Sequence, residues 1–259
     1  MLRDYFILCL AALLGGAINA IAGGGTLLTF PALFAALGSS GAAAVMANAT
    51  STVSLVPGSL AALFGYRREI RQERHWAALL LIPSLLGGLA GSLLVVALPG
   101  ESFKAAVPWL ILTAALLFLL QPQIARWTGI GQSHAGPHSR RLQLAAIAFQ
   151  FAVAVYGGYF GAGIGILMLS SLAMLGLGDI HRMNAVKTLL ASIINGTSVV
   201  VFVATGNVHY PYALAMAISA SIGGYLGARL ARRLDRTLVR GLVVAIGFLL
   251  AAYYFYRQP

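Results

Sequence analysis

Ten apolar segments run through this chain, at 5–22, 26–38, 43–66, 76–98, 104–121, 142–160, 164–178, 184–205, 211–230 and 237–256, and no acidic residue falls inside any of them. All six carboxylates (Asp4, Glu69, Glu73, Glu101, Asp179 and Asp235) sit in the joints or near the chain ends. Only 9% of residues are charged and 59% are hydrophobic, with a mean hydropathy of +0.87, whereas soluble domains carry about 25% charged residues. A helical span needs about 20 apolar residues. The pattern therefore predicts an all-α polytopic membrane protein with about eight or more membrane segments.

Segments 26–38 and 164–178 are too short to cross alone. Each follows a glycine-rich break, "AGGGT" at 22–26 and "GAGIG" at 161–165. Glycine runs weaken a helix, and in lipid every backbone polar group needs an internal partner. Each short segment is thus expected to form a discontinuous element with the segment before it. The breaks also belong to a duplication. "GGAINAIAGGGTLLTFPALFAALG" aligns with "GGYFGAGIGILMLSSLAMLGLG", "ANATSTVSLVPGSLAALF" with "AVKTLLASIINGTSVVVF", and "GGLAGSLL" with "GGYLGARL", in the same order in both halves. Two transmembrane repeats are expected, at 1–121 and 142–259, joined by a cytoplasmic linker at 122–141. The linker's His134 and His138 read as solvated residues. The duplication also argues against a cleaved signal peptide at the N-terminus.

The net charge is +11. Its arginines cluster in short joints, which reads as topology control by the positive-inside rule and not as a nucleic-acid surface. Arg67, Arg68, Arg71 and Arg74, then Arg126, Arg140 and Arg141, then Arg229, Arg232, Arg233 and Arg236 are all expected on the cytoplasmic side. An even number of crossings must then separate these groups. Each broken element must enter and leave on one face, as a re-entrant hairpin or two short crossings. Each repeat crosses an odd number of times, so the repeats are expected to be inverted, with both termini outside. "TGNVHYP" at 205–211 has no Lys or Arg, as an external loop should. Eight plain spans in parallel repeats are the alternative. Cys9 is the only cysteine, so no internal disulfide forms.

Within 184–205, Asn184, Lys187, Thr188, Ser192, Asn195 and Ser198 share one helical stripe, with Thr197 beside them. Lys187 is the one ionisable group placed clearly inside a span. It either snorkels to the interface or serves a polar path. The matching span carries Asn48, Ser51, Thr52 and Ser59, with Thr50 and Ser54 adjacent. Thr52, Ser54 and Ser59 read as interhelical hydrogen bonds; for Asn48, Thr50 and Ser51 that reading competes with a ligand role. Helices restarting after the breaks would aim unpartnered N–H groups and positive dipole ends inward, the two half-helix ends meeting near the midplane at the repeat interface. Such donors, with a lysine and no carboxylate, suit an anion. The expected substrate-binding set is Asn19, Gly23, Gly24, Gly25, Thr26, Asn48, Thr50, Ser51, Gly161, Gly163, Gly165, Lys187, Thr188, Ser192 and Asn195. "GGLAG" and "GGYLG" read as packing motifs. No cofactor or metal is expected, since no Cys/His cluster has ligand spacing.

"AINAIAGGGTLLTFPAL", "ANATSTV", "YFGAGIGILML" and "NAVKTLLASIINGTSVVVF" together resemble the sulfite exporter TauE/SafE family over nearly the whole chain. The resemblance implies a multi-pass carrier of the bacterial inner membrane for sulfite, sulfoacetate or related sulfonates; alternating access, with export the expected direction, would come from one repeat rocking against the other. The second half has Ser170–Ser171 where the first has Pro31, so the two halves of the site are not expected to be equivalent. A passive anion channel is the alternative, and an intramembrane enzyme is disfavoured because every His lies in a joint. The partners expected are a small anion and the lipid bilayer. A coupling ion is left open between Na+ and H+, as is the oligomeric state.

Overall fold

The computed structural model describes residues 2–128, 140–177, 179–230 and 236–257. Its regular structure is entirely helical: α1 (Leu2–Ala22), α2 (Thr26–Leu37), α3 (Gly41–Gln72), α4 (Arg74–Ala97), α5 (Gly100–Thr128), α6 (Arg140–Tyr159), α7 (Ile164–Met174), α8 (Ile180–Ala204), α9 (Tyr210–Leu230) and α10 (Arg236–Arg257). Five of these are long and apolar enough to cross a membrane (Leu2–Ala20, Arg74–Ala97, Gly100–Thr128, Ile180–Ala204 and Leu238–Arg257), while α2 and α7 are short apolar helices. The apolar segments map onto the helices one to one. The ends differ where charge obscures the pattern. α3 continues through Arg67, Arg68 and Arg71 to Gln72, and α5 continues through Pro122 to Thr128, into the stretch expected as linker. His134, His138, Arg232, Arg233 and Asp235 lie outside the described residues.

Two helix starts are capped by side chains. Ser40 Oγ accepts from Ala43 N at the start of α3 (3.1 Å). Asp179 Oδ1 accepts from His181 N (2.8 Å) and Arg182 N (3.1 Å) at the start of α8. Such caps satisfy N–H groups that have no intrahelical partner.

Lipid gives apolar helices no hydrophobic reason to associate, so contact depends on close backbone approach. Glycines provide it. Gly223 and Gly227 of α9 lie against the backbone of Leu13 and Ala17 in α1, and Gly87 and Gly91 of α4 against Phe151 and Val155 in α6. These contacts also fix directions. Along α1 and α9, Tyr5 meets Tyr212, Cys9 meets Ala215 and Ala17 meets Gly227, so the two helices run the same way. Along α4 and α6, Ser84 meets Gln150 (3.0 Å) and Gly91 meets Val155 and Tyr159, again in one direction. Thr50 of α3 lies beside His209, just past the end of α8 (3.0 Å). Glu73, at the end of α3, pairs with Arg182 near the start of α8 (3.0 Å). Hence α3 and α8, the helices that the duplication aligns, run in opposite directions.

Buried side chains form two clusters. The larger centres on Leu27, Phe30, Leu33, Phe103 and Phe118. The smaller centres on Leu80, Met168, Leu172, Leu190 and Ile194. The two broken elements, α1–α2 and α6–α7, meet between them.

Candidate substrate site

Both breaks begin with a glycine in left-handed backbone. Gly23 has φ +78° and Gly161 φ +82°, a region that L side chains enter only at a cost of roughly 1 kcal/mol or more. Gly23 N still bonds Ile18 O (3.2 Å) and Asn19 O (3.0 Å), closing α1, and Gly161 N bonds Tyr156 O (3.2 Å), closing α6. The breaks then touch. A Cβ on Gly23 would lie 3.4 Å from Gly165 Cα, and one on Gly161 would lie 4.0 Å from Thr26 Oγ1. The first turns of α2 and α7 therefore sit against the opposite break. Unlike α3 and α8, neither has a side-chain cap at its preceding glycine, Gly25 or Gly163. Their leading N–H groups and positive dipole ends face the interior of the molecule.

A cavity of ≈ 120 Å³ opens where the breaks meet, lined by Asn19, Gly23, Thr26, Gly161 and Gly165 from the broken elements. Lys187, Thr188 and Asn195 line it from α8, and Thr52, Ser59 and Tyr66 from α3. At about 30 Å³ per water molecule, the space suits an ion of a few heavy atoms. Lys187 stands about two turns inside α8 and is 7% exposed, so it does not snorkel to the surface. Its Nζ donates to Asn184 Oδ1 (2.9 Å), and Asn184 Nδ2 is tied to Ile180 O (2.8 Å). Asn184 thereby holds the ammonium at the cavity wall. Asn19 Nδ2 donates to Ser59 Oγ (3.3 Å) across the wall.

The cavity runs along α3 from Thr52 towards Tyr66 and the arginine-rich α3–α4 corner. Its other end is shut by aromatic rings. Phe160 lines the cavity and packs edge-on against Phe30 (5.4 Å). Phe103 then meets both Phe30 (6.3 Å) and Tyr159 (5.3 Å).

Seven of the expected site residues lie off the cavity wall, each for a local reason. A side chain on Gly24 would strike the Phe118 ring, and one on Gly25 the backbone of Gly15; both glycines are packing positions. Gly163 has φ +79° and packs near Leu117 and Ala114. Ser51 Oγ pairs with Thr29 Oγ1 (2.6 Å). Thr50 Oγ1 accepts from His209 N (3.0 Å). Asn48 Nδ2 donates to Tyr159 O (3.0 Å), and Ser192 Oγ bonds back to Thr188 O (2.8 Å). Thr52 and Ser59, expected only as interhelical hydrogen bonds, do reach the wall, as does Tyr66, which was not singled out. Thr52, Leu55, Ser59, Ala62 and Tyr66 alternate steps of three and four. That repeat was a readable signal for one face of α3.

Apolar helices of spanning length around a polar, lysine-bearing cavity define a multi-pass helical membrane protein. The chain belongs to the sulfite exporter TauE/SafE family, whose profile matches residues 8–254. It is similar to a "Probable membrane transporter protein" of Haemophilus influenzae, with 29% identity over 93% of this chain and 90% of the relative. It is also similar to "Probable membrane transporter protein YfcA" of Escherichia coli K12, with 26% identity over 82% of this chain and 75% of the relative. A third relative, "Probable membrane transporter protein ORF9" of Sinorhizobium sp, is 30% identical over 66% of this chain and 62% of its own length. No solved structure matches the chain. The protein is a membrane transporter and not an enzyme.

Proposed function

We propose that this chain is a secondary carrier for small sulfur oxyanions, sulfite or a short sulfonate such as sulfoacetate, working by alternating access between two inverted repeats. The observation that carries the reading is the buried Lys187 in one cavity with the uncapped starts of α2 and α7. A lysine at membrane depth costs about 3 kcal/mol on insertion scales. An anion bound there would offset that cost and accept from the helix N–H groups. The opposite directions of α3 and α8 support inversion, and Glu73–Arg182 places two arginine-bearing corners on one face. By the positive-inside rule that face is cytoplasmic. The cavity then faces inward, and the Phe160, Phe30 and Phe103 rings close the outer path. Family membership supports the sulfur chemistry.

Flux of sulfite and sulfoacetate in proteoliposomes tests the reading. Lys187→Met is expected to cut flux about 10- to 100-fold, the value of a charge-assisted hydrogen bond of about 1.5–3 kcal/mol. Asn195→Ala is expected to cost about fivefold. Unchanged flux in Lys187→Met overturns the proposed site. Saturation with counterflow marks a carrier, whereas ohmic single-channel current would make the protein a channel.

A further inference from the structure

Asn48 presents a problem that the anion cavity does not solve. It is 1% exposed, and although its Nδ2 donates to Tyr159 O, its Oδ1 has no partner among the described residues. A buried amide oxygen without a donor is costly. Its neighbours are acceptors as well. The last carbonyls of α6 lack intrahelical donors and carry the negative end of that helix's dipole. Tyr156 O is occupied by Phe160 N (2.9 Å) and Gly161 N (3.2 Å), and beyond the helix end Ala162 O takes the Tyr156 hydroxyl (2.8 Å). Tyr159 O, the last carbonyl of α6, lies against the Asn48 amide itself. A buried, unpartnered oxygen at the negative end of a helix suits a cation. The oxygens are neutral, and divalent ions favour carboxylates, so the charge that suits them is one.

We infer that Asn48 Oδ1 and the carbonyl end of α6 form a binding site for a monovalent cation of sodium's size, directly behind the anion cavity. The two sites are mechanically joined. Thr52, one turn along α3, donates to Asn48 O (2.9 Å) and lines the cavity, as does Phe160, the residue after Tyr159. A cation held there would tie α3 of the first repeat to α6 of the second and offset part of the charge of a neighbouring anion. Calling it the coupling ion rests on the carrier reading; its binding does not.

The test is thermal unfolding of the purified full chain in sodium, potassium and choline chloride at equal ionic strength, with no anionic substrate. Sodium is expected to raise the melting temperature in a saturable way. Asn48→Leu is expected to abolish that response, and Asn48→Asp to keep it with about tenfold lower half-saturation. Equal melting in all three salts, or a full sodium response in Asn48→Leu, overturns the site and leaves Oδ1 to a buried water. Because Asn48→Leu also loses the bond to Tyr159 O, equilibrium binding of radioactive sodium to the wild-type protein is measured in parallel. Absence of saturable binding overturns the proposal without any variant. Saturable sodium binding in a protein that moves no anion supports the cation site while sinking the transport reading.

Discussion

Lys187 and Asp179 sit on one helix and illustrate what single residues reveal. Lys187 was legible because a lysine inside an apolar segment is costly enough to need a reason. The hydroxyls of α3 were less legible. Helical spacing places Asn48, Ser51, Thr52 and Ser59 near one stripe, but only packing decides that Ser51 meets Thr29 while Thr52 and Ser59 reach the cavity. Asp179 was readable only as a loop carboxylate, yet it caps the helix that carries Lys187. The N–H groups of Arg182 and His181 hold its carboxyl below the usual value of 3.8. With the folded value depressed, the unfolded chain binds more protons in that range, so stability rises with pH there. The cap is fully effective above about pH 4 and is lost as pH falls through the folded value. Asp179→Asn keeps a capping oxygen without a titrating charge. Its thermal stability is expected to fall less steeply than wild type on acidification from about pH 5 to pH 3. Identical slopes would show that this carboxylate does not sense the fold.

Among the helices, glycine separates close packing from free space. The ten segments were legible from apolar length, and the breaks from "AGGGT" and "GAGIG". That the two breaks meet was legible from the duplication, but which atoms touch was not, because no local pattern reports contacts between residues so far apart in the chain. The sequence separated packing glycines from the rest only in part. Gly24 and Gly25 looked like donors, but Phe118 and Gly15 occupy the space beside them. "GGYLG" in α9 is a packing motif in the fold as in the sequence, since a Cβ on Gly223 would overlap the Leu13 carbonyl. Gly196 in α8 is the contrast, with nothing within 4 Å of its Cβ position. Gly223→Ala is therefore expected to destabilise by about 1–3 kcal/mol through overpacking. Gly196→Ala is expected to be neutral or to stabilise by up to about 1 kcal/mol, since it removes backbone freedom from the unfolded chain. Denaturant titration of both variants in detergent checks the contrast; equal losses would mean that α1 and α9 pack more loosely than these contacts require.

For the whole molecule, the decisive matter is the relation between the two halves. Order and charge in the sequence argued for inversion, because arginine groups on one face demand an even number of crossings between them. Helix directions supply a second argument that does not use the positive-inside rule. Thr50 lies at the α8–α9 corner and Glu73 at the start of α8, so α3 and α8 are antiparallel. Equivalent corners of inverted repeats must therefore open on opposite faces of the membrane: the α3–α4 corner at Gln72, and the α8–α9 corner at Thr205. Parallel repeats would put both on one face. Both residues are exposed, and the only native cysteine is removed by Cys9→Ala. In that background, Thr205→Cys is expected to react with a membrane-impermeant maleimide on intact cells. Gln72→Cys is expected to react only after permeabilisation. Ser39→Cys, at the exposed α2–α3 turn, is expected to behave as Thr205→Cys, because Thr50, early in α3, lies at the α8–α9 corner. Labelling of Gln72→Cys and Thr205→Cys from one side would overturn inversion. It would also remove the basis for placing the cavity mouth inside and the aromatic closure outside.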